Sequence, residues 1–76
     1  MSSRLYHVGL TIENHVATYH YRRNIDFMPC EIYEYLGKTR STKKEERARI
    51  KANSFEILGR LNRRYPDKDI RRIEVD

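Results

Sequence analysis

Apolar and polar residues alternate along residues 4–12, RLYHVGLTI, with Tyr6, Val8, Leu10 and Ile12 on one side and His7, Gly9 and Thr11 on the other. The alternation recurs over 16–22, VATYHYR, where Ala17, Tyr19 and Tyr21 oppose Thr18, His20 and Arg22. A period of two sends successive side chains to opposite faces of an extended chain, so both segments are predicted strands with one buried face. A two-residue turn at Glu13-Asn14 would set Leu10 against Ala17, Val8 against Tyr19 and Tyr6 against Tyr21, keeping both apolar sets on one side. An odd-length loop would split them. Glu-Asn lacks the usual glycine of such a turn, although Asn tolerates positive φ, so a four-residue loop of the same parity fits as well.

Residues 24–37, NIDFMPCEIYEYLG, read as a short helix: Asn24 or Asp26 caps it, Pro29 suits its first turn, and Gly37 suits the left-handed stop. Met28, Ile32, Tyr35 and Leu36 would share a face, with Tyr33 and Tyr35 at the rim of the core. A second helix is predicted from Lys43, because Thr42 and Glu45 make a capping box. Its stripe is Ile50, Ser54, Ile57, Leu58, Leu61 and Tyr65, with Phe55 at the margin, and Pro66 ends it. Glu45/Arg49 and Glu56/Arg60 stand at the favourable i,i+4 spacing on the far face. DIRRIEV, residues 69–75, closes the chain as a third strand with Ile73 and Val75 inward. The predicted order is β-β-α-α-β: a single α+β domain over 1–76, a small two-layer sandwich with a three-stranded, mainly antiparallel sheet and helices on one face.

Composition adds a direction to this frame. The chain carries 38% hydrophobic and 36% charged residues, polar for a globular domain, but the periodicity of the apolar positions argues for a folded core. The net charge of +5 is lopsided: residues 1–37 carry −1 and residues 38–76 carry +6. A basic face suits an anionic partner. Cys30 is the single cysteine, which excludes an intramolecular disulfide and a cysteine-based zinc site, and it is expected as a small, buried or half-buried hydrophobe. No apolar run has the length of a signal peptide or a membrane span, so the expectation is a soluble, cytoplasmic protein.

The charge concentrates in GKTRSTKKEERARIK, residues 37–51, where seven of fifteen residues are Lys or Arg. A helix N-terminus carries about half a positive charge and favours acidic neighbours. Here Lys38, Arg40, Lys43 and Lys44 precede Glu45 and Glu46, so cations crowd the positive end of a dipole with unpaired N–H groups. That combination suits a phosphate or a carboxylate; the plainer alternative is a well-solvated helix entrance. GKT does not make a phosphate loop of the nucleotide-binding kind: the earlier glycine is replaced by Ile32, and a helix rather than a strand is predicted before it.

Other candidates carry less. In the predicted register His7 and His20 face each other on the outer sheet face, but two imidazoles without a nearby carboxylate or thiolate make a poor metal site. RRYPDKDIRR, residues 63–72, mixes Arg63, Arg64, Arg71 and Arg72 with Asp67 and Asp69 and reads as a charged loop. No nucleophile is tied to a base, and no cofactor is implied. The expected function is therefore a small non-enzymatic regulatory protein that holds DNA or RNA mainly by its phosphates, through Lys38, Arg40, Lys43, Lys44, Arg47 and Lys51, with Arg22 and Arg23 as outliers. The alternative is an inhibitor or adaptor that docks on an acidic protein surface; an uncovered apolar patch beside the basic face would favour it. A homodimer paired through the third strand is also open, as is a monomer.

Overall fold

The structure, a computed structural model, describes residues 5–22 and 30–76. Its elements are β1 (Tyr6–Glu13), β2 (Val16–Tyr21), β3 (Ile32–Thr39), α1 (Lys43–Ala52), α2 (Ser54–Arg64), a short 3-10 turn (Pro66–Lys68) and β4 (Arg72–Val75). The α+β class is as expected, but the sheet has four strands in the order β3-β1-β2-β4, with β4 parallel to β2 and the other pairings antiparallel. The chain leaves one edge of the sheet at β3, crosses its face through both helices and returns at the opposite edge as β4. Among the described residues, no helix is long and apolar enough to cross a membrane.

The hairpin keeps the expected parity but shifts by two residues. Its turn is Asn14-His15, with φ of 52° and 67°, and Ile12, Leu10 and Val8 pair with Ala17, Tyr19 and Tyr21. A tight hairpin turn wants positive φ at both central residues, which Asn supplies readily and His does not. Tertiary contacts hold His15 there. Its Nδ1 lies 3.1 Å from the Lys68 carbonyl and 2.9 Å from that of Asp69. Its own carbonyl accepts from the Arg71 amide at 2.7 Å, which joins the hairpin tip to the entry of β4.

The predicted helix over 24–37 is corrected to a strand across its second half; residues 23–29, which include its proposed caps, lie outside the described residues. Ile32 and Glu34 face the helices, opposite Ile12 and Leu10, while Tyr33 and Tyr35 take the other side, opposite Thr11 and Gly9. The left-handed residue expected at Gly37 is real, with φ of 104°, but it serves a register shift opposite Val8 and Gly9, where Leu36 is the extra residue. A glycine at a β-bulge does what a glycine after a helix does: it takes a φ that side chains resist.

α1 starts as predicted. The Thr42 hydroxyl accepts from the Glu45 amide at 3.1 Å, and the Glu45 carboxylate accepts from the Thr42 amide at 2.8 Å. The predicted single helix over 43–65 breaks at Asn53, whose side-chain amide donates to the Arg49 carbonyl at 2.8 Å. Asparagine competes with helix continuation in this way. The break bends the apolar stripe: Ile50 of α1 and Ile57 and Leu61 of α2 are buried, Leu58 and Tyr65 pack against them, and Ser54 is exposed. Arg49 binds Glu46, at the i,i+3 spacing.

Both helices thus cover the sheet face that carries Tyr6, Val8, Leu10, Ile12, Ala17, Tyr19 and Tyr21. Asn62 on α2 completes the enclosure. Its side chain donates to the Ile70 carbonyl at 2.9 Å and accepts from the Ile70 amide at 2.7 Å, as a neighbouring strand would, and so seats Ile70 in the core ahead of β4. Arg64 at the end of α2 binds Glu34 of β3 at 2.8 Å.

Candidate nucleic-acid interface

Cross-strand partners in a sheet share a face, so the register assigns the residues on the side away from the helices. They form three rows. Lys38 lies beside His7; Tyr35, Gly9 and His20 make the next row; Tyr33, Thr11, Thr18 and Glu74 make the third. The aromatic part of this face was not foreseen, because the strand that bears Tyr33 and Tyr35 was read as a helix. Tyr35 is 54% exposed, and its ring centroid lies 6.3 Å from that of the exposed His7, with the planes tilted by 40°. Gly9, opposite Tyr35, puts no side chain between them. A signal was available in EIYEY, where Tyr33 and Tyr35 alternate with Ile32 and Glu34.

The expected histidine pair is corrected by the same two-residue register shift. His20 stands opposite Gly9, not His7. It is only 7% exposed and sits in a hydrogen-bonded chain: Nδ1 is 2.9 Å from the Asp76 carboxylate, and Nε2 is 2.7 Å from the Thr11 hydroxyl. With Asp76 ionised and the ring neutral, Nδ1–H donates to the carboxylate and Nε2 accepts from Thr11. The order Asp, His, Thr is that of a nucleophile triad. Thr11, however, is buried on a strand with neighbours on both sides, so the amides around it belong to the ladders, and acyl transfer needs free donors for its oxyanion. The chain reads better as a tie that fastens the end of β4, where the Asp76 amide also donates to the Tyr19 carbonyl at 2.8 Å. Among the described residues, no three His, Cys, Asp or Glu side chains converge to hold a metal ion.

The predicted cations fall into separate groups. Lys38 is exposed at the end of β3, Arg40 is exposed in the loop that follows, and Lys43 and Lys44 open α1, so these four wrap the corner between the sheet and the helix N-terminus. Arg47 and Lys51 are also exposed on α1 but line a groove against β4, on the helix side of the sheet. Arg22 is turned away from the outer face expected for it. Its φ of 66° ends β2, and its guanidinium lies 5.6 Å above the ring of Tyr6, on the covered face. Arg23 lies outside the described residues.

Electrostatics sharpens the corner. Glu46, one of the two acids that follow these cations in the sequence, is 4% exposed and points inward. Its carboxylate accepts from the Tyr21 hydroxyl at 3.1 Å and from Arg49. Burial alone would raise its pKa, but the hydrogen bonds from Arg49, Ser41 and Tyr21 outweigh that and hold it below the usual carboxylate range. Burial, reinforced by this carboxylate, drives the Tyr21 hydroxyl well above the ordinary tyrosine value. Glu45 is occupied by its capping bond to Thr42. On the outer face the acids Glu74 and Asp76 belong to the β4 side, bound to Arg72 and His20, so among the described residues the two upper rows of the β3–β1 side, with Tyr35, His7 and Lys38, carry no carboxylate.

Cys30 is half-buried as expected. Burial, with Glu13 and Glu31 nearby, raises its thiol pKa, and the thiol donates to the Ile32 carbonyl at 3.1 Å. A raised pKa suits an unreactive thiol. Compared with family models, curated proteins and solved structures, the chain matches none.

Proposed function

We propose that the protein binds single-stranded nucleic acid along the exposed β3–β1 side of the sheet face turned away from the helices, in a regulatory and non-enzymatic role. The phosphates follow Lys38, Arg40, Lys43 and Lys44 at the β3–α1 corner, and bases stack on Tyr35 and His7. The observation that carries this reading is the adjacency of Tyr35 and His7, both exposed and 6.3 Å apart on neighbouring strands, to the exposed Lys38 in the next row. Sheet platforms recognise single strands by this division of labour, with aromatic rings for the bases and cations for the backbone. Duplex would use the cations alone, since its bases are stacked away from the rings.

Two further features support the reading. The acids of the outer face lie toward β4, which favours a strand path along β3 and β1. Among the described residues the Thr11–His20–Asp76 chain has no free backbone donors for an oxyanion, which supports binding over catalysis.

Fluorescence anisotropy of labelled single-stranded DNA, single-stranded RNA and duplex DNA tests this. Four phosphate contacts to a single strand predict about 50-fold weaker binding between about 50 and 200 mM salt. Replacing Lys38, Arg40, Lys43 and Lys44 by Gln should remove most of that slope. Binding that is absent at low salt, or unchanged in the neutralised variant, would end the proposal, and the ranking of the three probes names the substrate.

A further inference from the structure

β4 closes the sheet on the side away from β3, and among the described residues it pairs with β2 alone. The Arg72 and Asp76 amides donate toward β2, to the carbonyls of His15 and Tyr19. Backbone groups alternate sides along a strand, so the N–H and C=O groups of Ile73 and Val75 point outward, away from β2. An edge of this kind is a template for another strand.

The side chains at these positions add a floor to the template. Ile73 and Val75 turn toward the helices, and with Ile50 of α1 they line an open groove of about 310 Å3. Arg47, Lys51 and Ser54 line it too, and neither Arg47 nor Lys51 has an ion pair among the described residues. The neighbouring acids are engaged elsewhere: Glu46 with Tyr21 and Arg49, Glu74 with Arg72, and Asp76 with His20. Among the described residues the groove therefore combines an apolar floor, an unpaired strand edge and two cations without an ion pair.

We propose that this edge docks an extended acidic peptide segment of a partner protein. The segment adds a fifth strand along β4, hydrogen-bonded to the Ile73 and Val75 backbone. Alternate apolar side chains enter the groove against Ile50, and carboxylates meet Arg47 and Lys51. Strand addition of this type takes its affinity from the main chain and its specificity from the side-chain pockets. The charge selects this occupant over two others. A second copy paired along β4 would bring Arg47 and Lys51 of both chains to one seam, with like charges opposed. A nucleic-acid strand would meet two cations but leave the apolar floor and the strand edge unused. The site is independent of the open sheet face, which lies on the other side of the sheet.

The test is an amide-resolved NMR titration of the whole protein with a short capped peptide: valines at alternate positions, threonines between them and glutamates at both ends. Saturable shifts centred on Arg47, Lys51, Ile73 and Val75 are expected. A lysine-ended peptide should bind about tenfold more weakly or worse, as should the glutamate peptide to Arg47→Glu, Lys51→Glu protein. Proline in place of both the central threonine and the valine beside it should remove binding, because in either strand direction one of the two carries a backbone donor aimed at β4. Both substituted residues are exposed, and unchanged amide dispersion elsewhere checks that the variant is folded. The proposal is overturned if the glutamate peptide causes no saturable shift at β4, or if the lysine-ended peptide binds equally. It is also overturned if the same amides shift with protein concentration alone, which assigns the edge to a second copy, or if they respond to a single-stranded oligonucleotide instead. Shifts at Tyr35 and Lys38 do not enter this score, so the open-face reading stands or falls separately.

Discussion

The two faces of one sheet use tyrosine in opposite ways. On the covered face Tyr6, Tyr19 and Tyr21 finish a small core, and the Tyr21 hydroxyl is bound to a buried carboxylate. On the outer face, at its β3–β1 side, Tyr35 is half exposed beside His7 and Lys38. The residue type is the same, and strand register alone decides which role each plays. A tyrosine in the core is held there by burial and by a partner for its hydroxyl. Tyr35, half in water, has no hydroxyl partner among the described residues, which is why recognition is proposed at the outer face.

The covered face should fail first when cut. Ile12 has 0% exposure, and Ile12→Ala should cost about 3 to 4 kcal/mol, read from urea unfolding. A loss within about 0.5 kcal/mol of zero would mean that the two faces are not different in kind.

Glu46→Gln should cost about 2 kcal/mol at neutral pH, through the weakened bonds to Arg49, Ser41 and Tyr21. The pH dependence has a definite sign. The folded pKa of Glu46 is depressed below the unfolded value of about 4.3, so its contribution is complete above about pH 5 and is lost as pH falls through the folded value. The gap in unfolding midpoint between wild type and Glu46→Gln should therefore close on acidification. A gap that widens would contradict the assignment.

On the open face Tyr35→Ala should leave stability within about 0.5 kcal/mol of wild type while weakening single-strand binding by about 1 to 2 kcal/mol. Tyr35→Phe should bind nearly as well, since stacking needs the ring and not the hydroxyl. The smallest effect is expected at Phe55, which is 90% exposed on α2: Phe55→Ser should change neither stability nor single-strand binding. A clear loss of oligonucleotide affinity there would move the interface to the helical side.

How much of this was legible depended on how local each determinant is. β1, β2 and the start of α1 were readable because alternation and a capping box lie within a few adjacent residues. β3 was not. Pro29 and Gly37 look like a helix entrance and stop, and the run between them is short enough for its period of two to go unread. Losing β3 hid the site itself, because Tyr33 and Tyr35 join His7 only through strand pairing. The cluster from Lys38 to Lys44 was visible because its members are consecutive. The separation of Arg47 and Lys51 from it depends on where α1 meets β4, a contact between residues far apart in the chain. The break at Asn53 and the clamp of Asn62 on Ile70 likewise needed the packed structure, since both are polar groups standing in for backbone.

The central claim is that the outer face at β3 and β1, and not the helical one, meets the single strand. Amide-resolved NMR of the labelled protein titrated with a short single-stranded oligonucleotide tests it most directly. Shifts that saturate at His7, Gly9, Tyr33, Tyr35 and Lys38 and continue through Arg40 to Lys44 are the predicted result. Shifts confined to α1, α2 and β4, with the β1–β3 amides unmoved, would contradict it.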